Sequence, residues 1–373
     1  MPFAQAAEHL AFFWGVRISE ATARRQAEVA GAAYVAIQSA EVERLEREAP
    51  PPPAGPAVQQ VSADGAMVPL VGGTWGEAKT VAIGTVVVEP GADGAADQAR
   101  ATDLSYFSRL ADHTTFTRRA HVELHRRGTE TARVVVGVMD GATWEQTFLD
   151  RYRPDAVRVL DFPHALEHLA TVEKATFGAA TAAGAAWLAA QADALKRGAP
   201  SAVLVALDRL PVGRAAQPFA ARQARDATFG YLEKRLDQIR YADFLALGYP
   251  IGSGAVESAN KLVVQARLKG SGMHWAPAHV NPMLALRTIA CAERWAEAWP
   301  RICGRLRAAA QARCAARSQQ RRARRPPPPS IPAIPARRPP RPPRPKLVVG
   351  GRPTAAHPWR RPFLADGRAT APA

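Results

Sequence analysis

The stretch RVVVGVMDGA, residues 133–142, decides the fold class of this 373-residue chain. The residues between Arg133 and Asp140 are apolar and mostly β-branched, which is typical of a strand buried on both faces. Gly141, directly after the aspartate, allows the chain to turn at the end of that strand. A strand of this kind needs helices packed around it, so the sequence predicts an α/β protein.

Further strands and helices are predicted on both sides of this stretch. Hairpin strands come first and helices then alternate with strands, which indicates a mixed sheet. The predicted strands are Val58–Ala63, Thr80–Val88, Ser105–Arg109, Arg133–Met139 and Ala156–Leu160. The predicted helices of this region are Asp112–Arg127, Ala142–Tyr152 and one that starts near His164.

Composition and periodicity divide the chain into six segments. We predict a helical segment at 1–48, a Pro-rich linker at 49–56, the first part of a sheet-containing core at 57–170, a helical insertion at 171–248, the second part of the core at 249–300 and a basic Arg/Pro-rich tail at 301–373.

The positive charge of the chain is concentrated in this tail. Lys and Arg number 49 against 33 Asp and Glu, a net charge of +16, and residues 301–373 alone carry +17. The other 300 residues are nearly neutral, at −1. Such a distribution predicts a polyanionic partner, nucleic acid before membrane. With 15 prolines from Pro326 onward, the tail is expected to be largely disordered or extended, and a solvated tail without a specific partner is the alternative.

Cysteine usage and hydropathy exclude several classes of protein. The three cysteines lie late in the chain and form no Cys-x-x-Cys pair, which excludes a disulfide scaffold and a zinc finger. They fit a reducing compartment, and we expect a cytoplasmic, nucleoid-associated protein. No stretch has the ~20 strongly apolar residues of a membrane span, so no membrane partner is expected.

Four acidic residues are candidates for metal binding. Asp64, Asp140 and Asp161 each follow a predicted strand, and Glu257 falls in the first turn of a predicted helix behind a capping Ser253. Two aspartates from neighbouring strands and one acid from a helix can together hold two Mg²⁺ ions, which favour oxygen ligands. The same residues are also common as hydrogen-bonding caps of helices, and their spacing alone does not separate the two interpretations.

Near the N-terminus, a turn that starts at Gly15 precedes a helix capped by Ser19. Arg24 and Arg25 lie on this helix. The pattern fits the second half of a DNA-reading helix-turn-helix, and it also fits a helical hairpin with a solvated charged face, which we favour slightly.

Longer motifs resemble bacterial insertion-sequence transposases of the DDE type, most closely the ISKra family, which is related in its catalytic core to the Mutator-like transposases. The motifs are DGA at 64–66 and EAK at 77–79, LDFPHALEHL at 160–169, GSGAVESANK at 252–261, RLKGSGMHW at 267–275 and NPMLALR at 281–287. The likeness covers about residues 15–300, and the region around Glu257 is its most specific part.

The resemblance implies an RNase H-like mixed sheet with helices on both faces and a helical insertion before the catalytic glutamate. It implies that Asp64, Asp140 and Glu257 bind two Mg²⁺ ions, for which Mn²⁺ can substitute. Asp161 and His164 would form a supporting Asp-x-x-His element, although Asp161 stays open as the second metal ligand in place of Asp140.

The implied function is metal-dependent DNA cleavage at the terminal inverted repeats of a transposon and strand transfer into target DNA, by a homo-oligomer assembled on DNA. Lys261 would contact the scissile phosphate or pair with Glu257, and Arg267 and Lys269 would contact phosphates or cap a helix C-terminus. The alternative function is that of a non-catalytic DNA-binding remnant of a transposase, since the Arg/Pro tail is unlike the family.

Overall fold

A computed structural model of the chain describes residues 2–90, 98–323, 344–355 and 357. Residue contacts divide the chain into two units, 1–314 and 315–373. The main sheet and the helices that pack on it lie in the first unit. The second unit contains a short antiparallel pair, β6 (Val348–Val349) with β7 (Arg352–Pro353).

The first unit is built on a five-stranded mixed sheet with the strand order β3-β2-β1-β4-β5. The strands are β1 Val58–Pro69, β2 Trp75–Glu89, β3 Gln98–Leu110, β4 Val134–Met139 and β5 Val157–Leu160. The first three form antiparallel pairs, while β4 runs parallel to β1 and to β5. The predicted mixed α/β class is confirmed.

Strand β1 is longer than the sequence predicts, and Asp64 does not end it. Its parallel pairing with β4 stops at Val61, but its antiparallel pairing with β2 continues to Pro69. Asp64 therefore lies within the strand, opposite Thr80. The Gly65 that follows is part of the ladder rather than of a turn, because the β2 partner supplies the hydrogen bonds that keep this segment extended.

Helices surround the sheet. Those before the helical insertion are α1 Phe3–Trp14, α2 Glu20–Glu48, α3 His113–Arg126, α4 Thr143–Tyr152 and α5 Phe162–Phe177. The insertion contains α6 Ala182–Lys196, α7 Pro200–Asp208, α8 Pro218–Glu233 and α9 Tyr241–Ala246, with 3₁₀ turns at Val212–Arg214 and Leu236–Gln238. The last group is α10 Gly254–Ala259, a π-helical segment Asn260–Gln265, α11 Ala266–Leu268, α12 Pro277–Cys291 and α13 Trp295–Ala323.

The two faces of the sheet are covered by different helices. On one face, apolar residues of α3 and α4 such as Phe116 and Phe148 pack against Val61 and Val81. On the other face, α10 to α12 cover β1 and β2, and the insertion helices cover β4 and β5. Because insertion residues such as Leu195 share one buried cluster with the sheet, the insertion is part of the same folded body.

Helix α2 begins as the sequence predicts. The hydroxyl of Ser19 accepts a hydrogen bond of 3.1 Å from the backbone N–H of Thr22, and α2 then packs on α12 and α13 through buried residues such as Tyr34. Arg24 and Arg25 are exposed near its start. A capped helix with exposed arginines at its start fits both the helix-turn-helix and the helical-hairpin interpretation of this segment.

The first part of the tail that the sequence predicts to be disordered is helical. Helix α13 continues to Ala323, so residues 301–323 are helical, because alanine and arginine are strong helix formers and no proline occurs there after Pro300. Most of the Arg/Pro-rich remainder lies outside the described residues. No helix in the described part of the chain is long and apolar enough to cross a membrane.

Candidate metal centre

The register of the parallel strands brings three aspartates to one level of the sheet. Val61 pairs with Gly137, and continuing three residues along both strands places Asp64 beside Asp140. Met139 likewise pairs with Leu160, so the next residue on each strand places Asp140 beside Asp161. The three aspartates therefore meet at the end of β4, although only Asp64 and Asp140 direct their carboxylates into a common site.

That common site is formed by Asp64, Asp140 and Glu145, each of which offers one carboxylate oxygen within 4.8 Å of the other two. Glu145 is in the first turn of α4 and only 1% exposed. Its Oε2 accepts a hydrogen bond of 3.2 Å from the backbone N–H of Gly141. Sequence reasoning missed Glu145. Its position five residues after Asp140, on the first turn of the helix that follows, is the signal that could have indicated it.

The electrostatics of the site favour protons or a cation. Burial raises the pKa of Glu145 to about 10, and the neighbouring Asp140 and Asp64 carboxylates add to the rise. Burial also raises the pKa of Asp64, with further contributions from Asp140 and Glu257. Close carboxylates of this kind cannot all ionise without a compensating charge. A divalent cation would supply it, and carboxylate oxygens are the ligands that Mg²⁺ prefers.

Helix α10 and the π-helical segment bring a second polar group to Asp64. The side-chain Nδ2 of Asn260 donates a hydrogen bond of 2.7 Å to Asp64 Oδ2. Asn260 is 4% exposed, and its Oδ1 has no hydrogen-bond partner among the described residues. An amide oxygen is a suitable ligand for a hard cation. Asn260 belongs to the GSGAVESANK motif, but sequence reasoning did not single it out.

Glu257 is exposed and lies outside the group formed by Asp64, Asp140 and Glu145. It lines the same cleft of about 220 Å³ as Asp64, together with Lys261 and Lys269. The cleft therefore holds two of the three predicted metal ligands and two of the predicted phosphate contacts. Among the ion pairs found between described residues, none joins Lys261 to Glu257.

The carboxylate of Asp161 accepts backbone hydrogen bonds instead of joining the acidic group. Its Oδ1 accepts a hydrogen bond of 2.6 Å from the backbone N–H of Ser253, and its Oδ2 accepts one of 3.1 Å from the backbone N–H of His164. It therefore caps α5 and ties that helix to the loop before α10, and it is not in the acidic group. The predicted capping role of Ser253 is wrong, because its side chain makes no cap hydrogen bond.

Helix α8 of the insertion and the turn after it hold the loop that carries Asp140. Arg235 donates a hydrogen bond of 2.7 Å to the carbonyl of Gly141, and the Tyr231 hydroxyl donates to the carbonyl of Asp140. Arg235 lies over the Tyr231 ring, and His168 stacks on that ring at 3.9 Å. His164 contacts His168 edge-on. The two histidines thus contact the ring of Tyr231, which in turn holds the loop, and they are not in the acidic group.

The predicted phosphate contacts that follow Glu257 in the sequence lie in two different places. Lys261 and Lys269 are exposed in the cleft. Arg267 is 9% exposed and lies 4.3 Å from the Phe3 ring and 5.2 Å from the Trp275 ring. Its burial between two aromatic rings gives it a packing role in this structure.

Comparison of the chain with known protein families gives no matching family, and comparison with curated proteins gives no match either.

The raised pKa of Glu145 predicts a pH-dependent stability. A carboxyl group with a folded-state pKa of about 10 keeps its proton on folding, while the unfolded chain loses it above its ordinary pKa near 4.5. Stability is therefore expected to fall as pH rises between these values, by on the order of 1 kcal/mol per pH unit. Thermal unfolding in EDTA from pH 5.5 to 8 should show this fall, and Glu145→Gln should flatten it.

The matched control is Glu233→Gln, an exposed glutamate of α8, which should leave the pH profile unchanged. A Glu145→Gln profile that parallels the parent protein would contradict the assigned protonation state.

Proposed function

We propose that the chain is a DDE-type transposase with an RNase H-like core, which cleaves DNA at transposon ends and joins them to target DNA. The observation that carries the proposal is the meeting of Asp64 and Asp140 on neighbouring strands, within 4.8 Å, beside the cleft that Glu257 lines. The five-stranded order, with three antiparallel and two parallel strands, is compatible with an RNase H-like fold.

The residues present fit a divalent cation. Asp64 and Asp140 offer carboxylate oxygens, and the buried Oδ1 of Asn260 is a third oxygen without a hydrogen-bond partner among the described residues. Asp64, Asp140 and Glu257 would hold the ions in this proposal, with Mg²⁺ as the resident metal and Mn²⁺ as a substitute. Bound ions of this kind supply Lewis acidity to the attacking and leaving oxygens of a phosphodiester.

The chain's own residues then position the DNA. Lys261 and Lys269 flank the acids in the cleft, where their ammonium groups would neutralise backbone phosphates. Tyr231 and Arg235 hold the Asp140 loop, so the insertion keeps the second acid in place. DNA ends and target DNA are the proposed substrates, and a homo-oligomer on paired ends is the proposed assembly.

The test is an assay with the full chain and duplex DNA that carries the inverted repeats flanking its gene. We expect cleavage at the repeat ends that requires Mg²⁺ or Mn²⁺ and yields a 3′-hydroxyl, followed by joining to a second duplex. Failure to cut with either ion would contradict the proposal.

The second candidate is a non-catalytic DNA-binding protein. The observation that favours it is the exposure of Glu257 and its absence from the acidic group, which is completed by the buried Glu145 instead. In the same assay, retention of the end duplex on a native gel without cleavage under Mg²⁺ or Mn²⁺ would identify this function.

The part of the basic tail after α13 should add affinity for DNA without adding sequence preference. Residues 324–373 contain 11 Lys and Arg against one Asp, and each phosphate they neutralise should steepen the slope of log affinity against log salt by roughly 0.9 on duplex DNA. Ending the chain at Ala323 keeps α13 intact and should flatten that slope on random duplexes.

A full-length variant whose arginines after Ala323 are replaced by glutamine is the matched control, since it keeps the length and the prolines. It should behave like the shortened chain. An unchanged slope in both variants would show that residues 324–373 do not contact DNA.

A further inference from the structure

A second group of ligating side chains lies on α3, away from the acidic site. His121 and His125 are one helical turn apart, and Glu130 follows in the turn after the helix. Glu130 Oε1 is 3.3 Å from His121 Nε2 and 3.1 Å from His125 Nδ1. The three ligand atoms lie within 4.8 Å of one another. Helix α3 packs on the sheet face opposite to α10, so this group is separate from the site in the cleft.

Two of the three ligand spacings match the coordination shell of zinc. Zn²⁺ binds imidazole nitrogen and carboxylate oxygen at about 2.0–2.2 Å, and two ligands of a tetrahedral ion are then about 3.3–3.5 Å apart. The two separations from Glu130 Oε1, 3.1 and 3.3 Å, are hydrogen-bond distances between the carboxylate and the two imidazoles, and they are also close to such an edge. Two nitrogens and one oxygen suit Zn²⁺ better than Mg²⁺, which favours oxygen alone.

The surroundings hold this geometry before any ion is present. The His121 ring stacks on Tyr152 with centroids 5.2 Å apart, and the Tyr152 hydroxyl donates a hydrogen bond of 2.7 Å to the Thr117 carbonyl. The turn that carries Glu130 is fastened by Thr131, whose hydroxyl donates to the Pro53 carbonyl at 2.5 Å.

The second carboxylate oxygen of Glu130 lacks a partner in the described part of the chain. Glu130 Oε2 is buried and has no hydrogen-bond partner among the described residues. A buried carboxylate oxygen without a partner is costly. A cation held by the carboxylate of Glu130 would offset that cost.

We propose that His121, His125 and Glu130 bind one Zn²⁺ ion, with a water molecule in the fourth position. The site joins α3 to the turn that leads into β4 and so acts as a structural clamp on that sheet face. It does not depend on the proposed transposase function.

Zinc binding to the full chain can be measured by competition with a chromophoric chelator, in excess Mg²⁺ to occupy the acidic cleft. We expect one Zn²⁺ per chain. His125→Gln and Glu130→Gln should each lower the affinity at least about 100-fold, since loss of even an outer-shell partner of a metal ligand costs 10–100-fold. His113→Gln, an exposed histidine at the start of the same helix, is the matched control and should bind zinc as the parent does.

Cobalt substitution and an unfolding measurement complete the test. Bound Co²⁺ should show the strong visible bands of a tetrahedral site without a thiolate charge-transfer band, and Zn²⁺ should raise the Tm of the parent but not of Glu130→Gln. Circular dichroism in EDTA verifies that the variants are folded. Failure to bind zinc, equal affinity in the ligand variants, or a thiolate band from the free cysteines would each overturn the proposal.

Discussion

Asp140→Asn is expected to abolish metal-dependent DNA cleavage, with a loss of at least about 100-fold. The substitution keeps the size of the side chain and its hydrogen bond to the N–H of Ala142, which now spans 2.8 Å, but removes the negative charge that would hold the cation. Metal ions contribute several kcal/mol of transition-state stabilisation, and each 1.36 kcal/mol corresponds to about tenfold in rate. Initial rates of end cleavage under Mg²⁺ measure the loss.

Two further substitutions test whether the loss of cleavage is specific to Asp140. Asp193→Asn changes an exposed aspartate that pairs with Arg197 on α6, and its cleavage rate should equal that of the parent. Asp161→Asn should lower the Tm while metal affinity is retained, because Asp161 accepts backbone hydrogen bonds from Ser253 and His164. If Asp161→Asn loses metal binding and Asp140→Asn keeps it, the two aspartates exchange roles and the assignment of Asp140 is wrong.

Gly31→Ala is expected to destabilise the protein by about 1–3 kcal/mol, the usual cost of overpacking. A Cβ at Gly31 would lie 2.2 Å from the backbone carbonyl oxygen of Pro282, so α2 and α12 would have to move apart. The better helix propensity of alanine offsets only about 1 kcal/mol of this cost. Thermal unfolding should show a Tm lower by several degrees.

Gly230→Ala is the matched control for this experiment. Gly230 also lies within a helix, but a Cβ there would meet no atom within 4 Å. This variant should gain about 0.5–1 kcal/mol. If both variants change stability in the same direction, the close contact between α2 and α12 is not the cause.

Some features of the protein follow from local sequence alone. The apolar run before Asp140 forms a strand with the predicted end at Met139, and Ser19 caps α2. Each of these depends on neighbouring residues only: an apolar β-branched run favours a buried strand, and a serine hydroxyl reaches the N–H three residues on. The alternation of helices and strands likewise determined the mixed α/β class.

The composition of the candidate site was decided by tertiary structure. Asn260 donates to Asp64 across 196 residues of sequence, and Glu145 is paired with Asp140 because α4 packs its first turn against the sheet. Asp161 has the same strand-end position as Asp140, yet its oxygens are occupied by backbone N–H groups, one of them 92 residues away. Sequence patterns report which residues can bind a metal. Whether a carboxylate stays available depends on distant donors that only packing brings within hydrogen-bond distance.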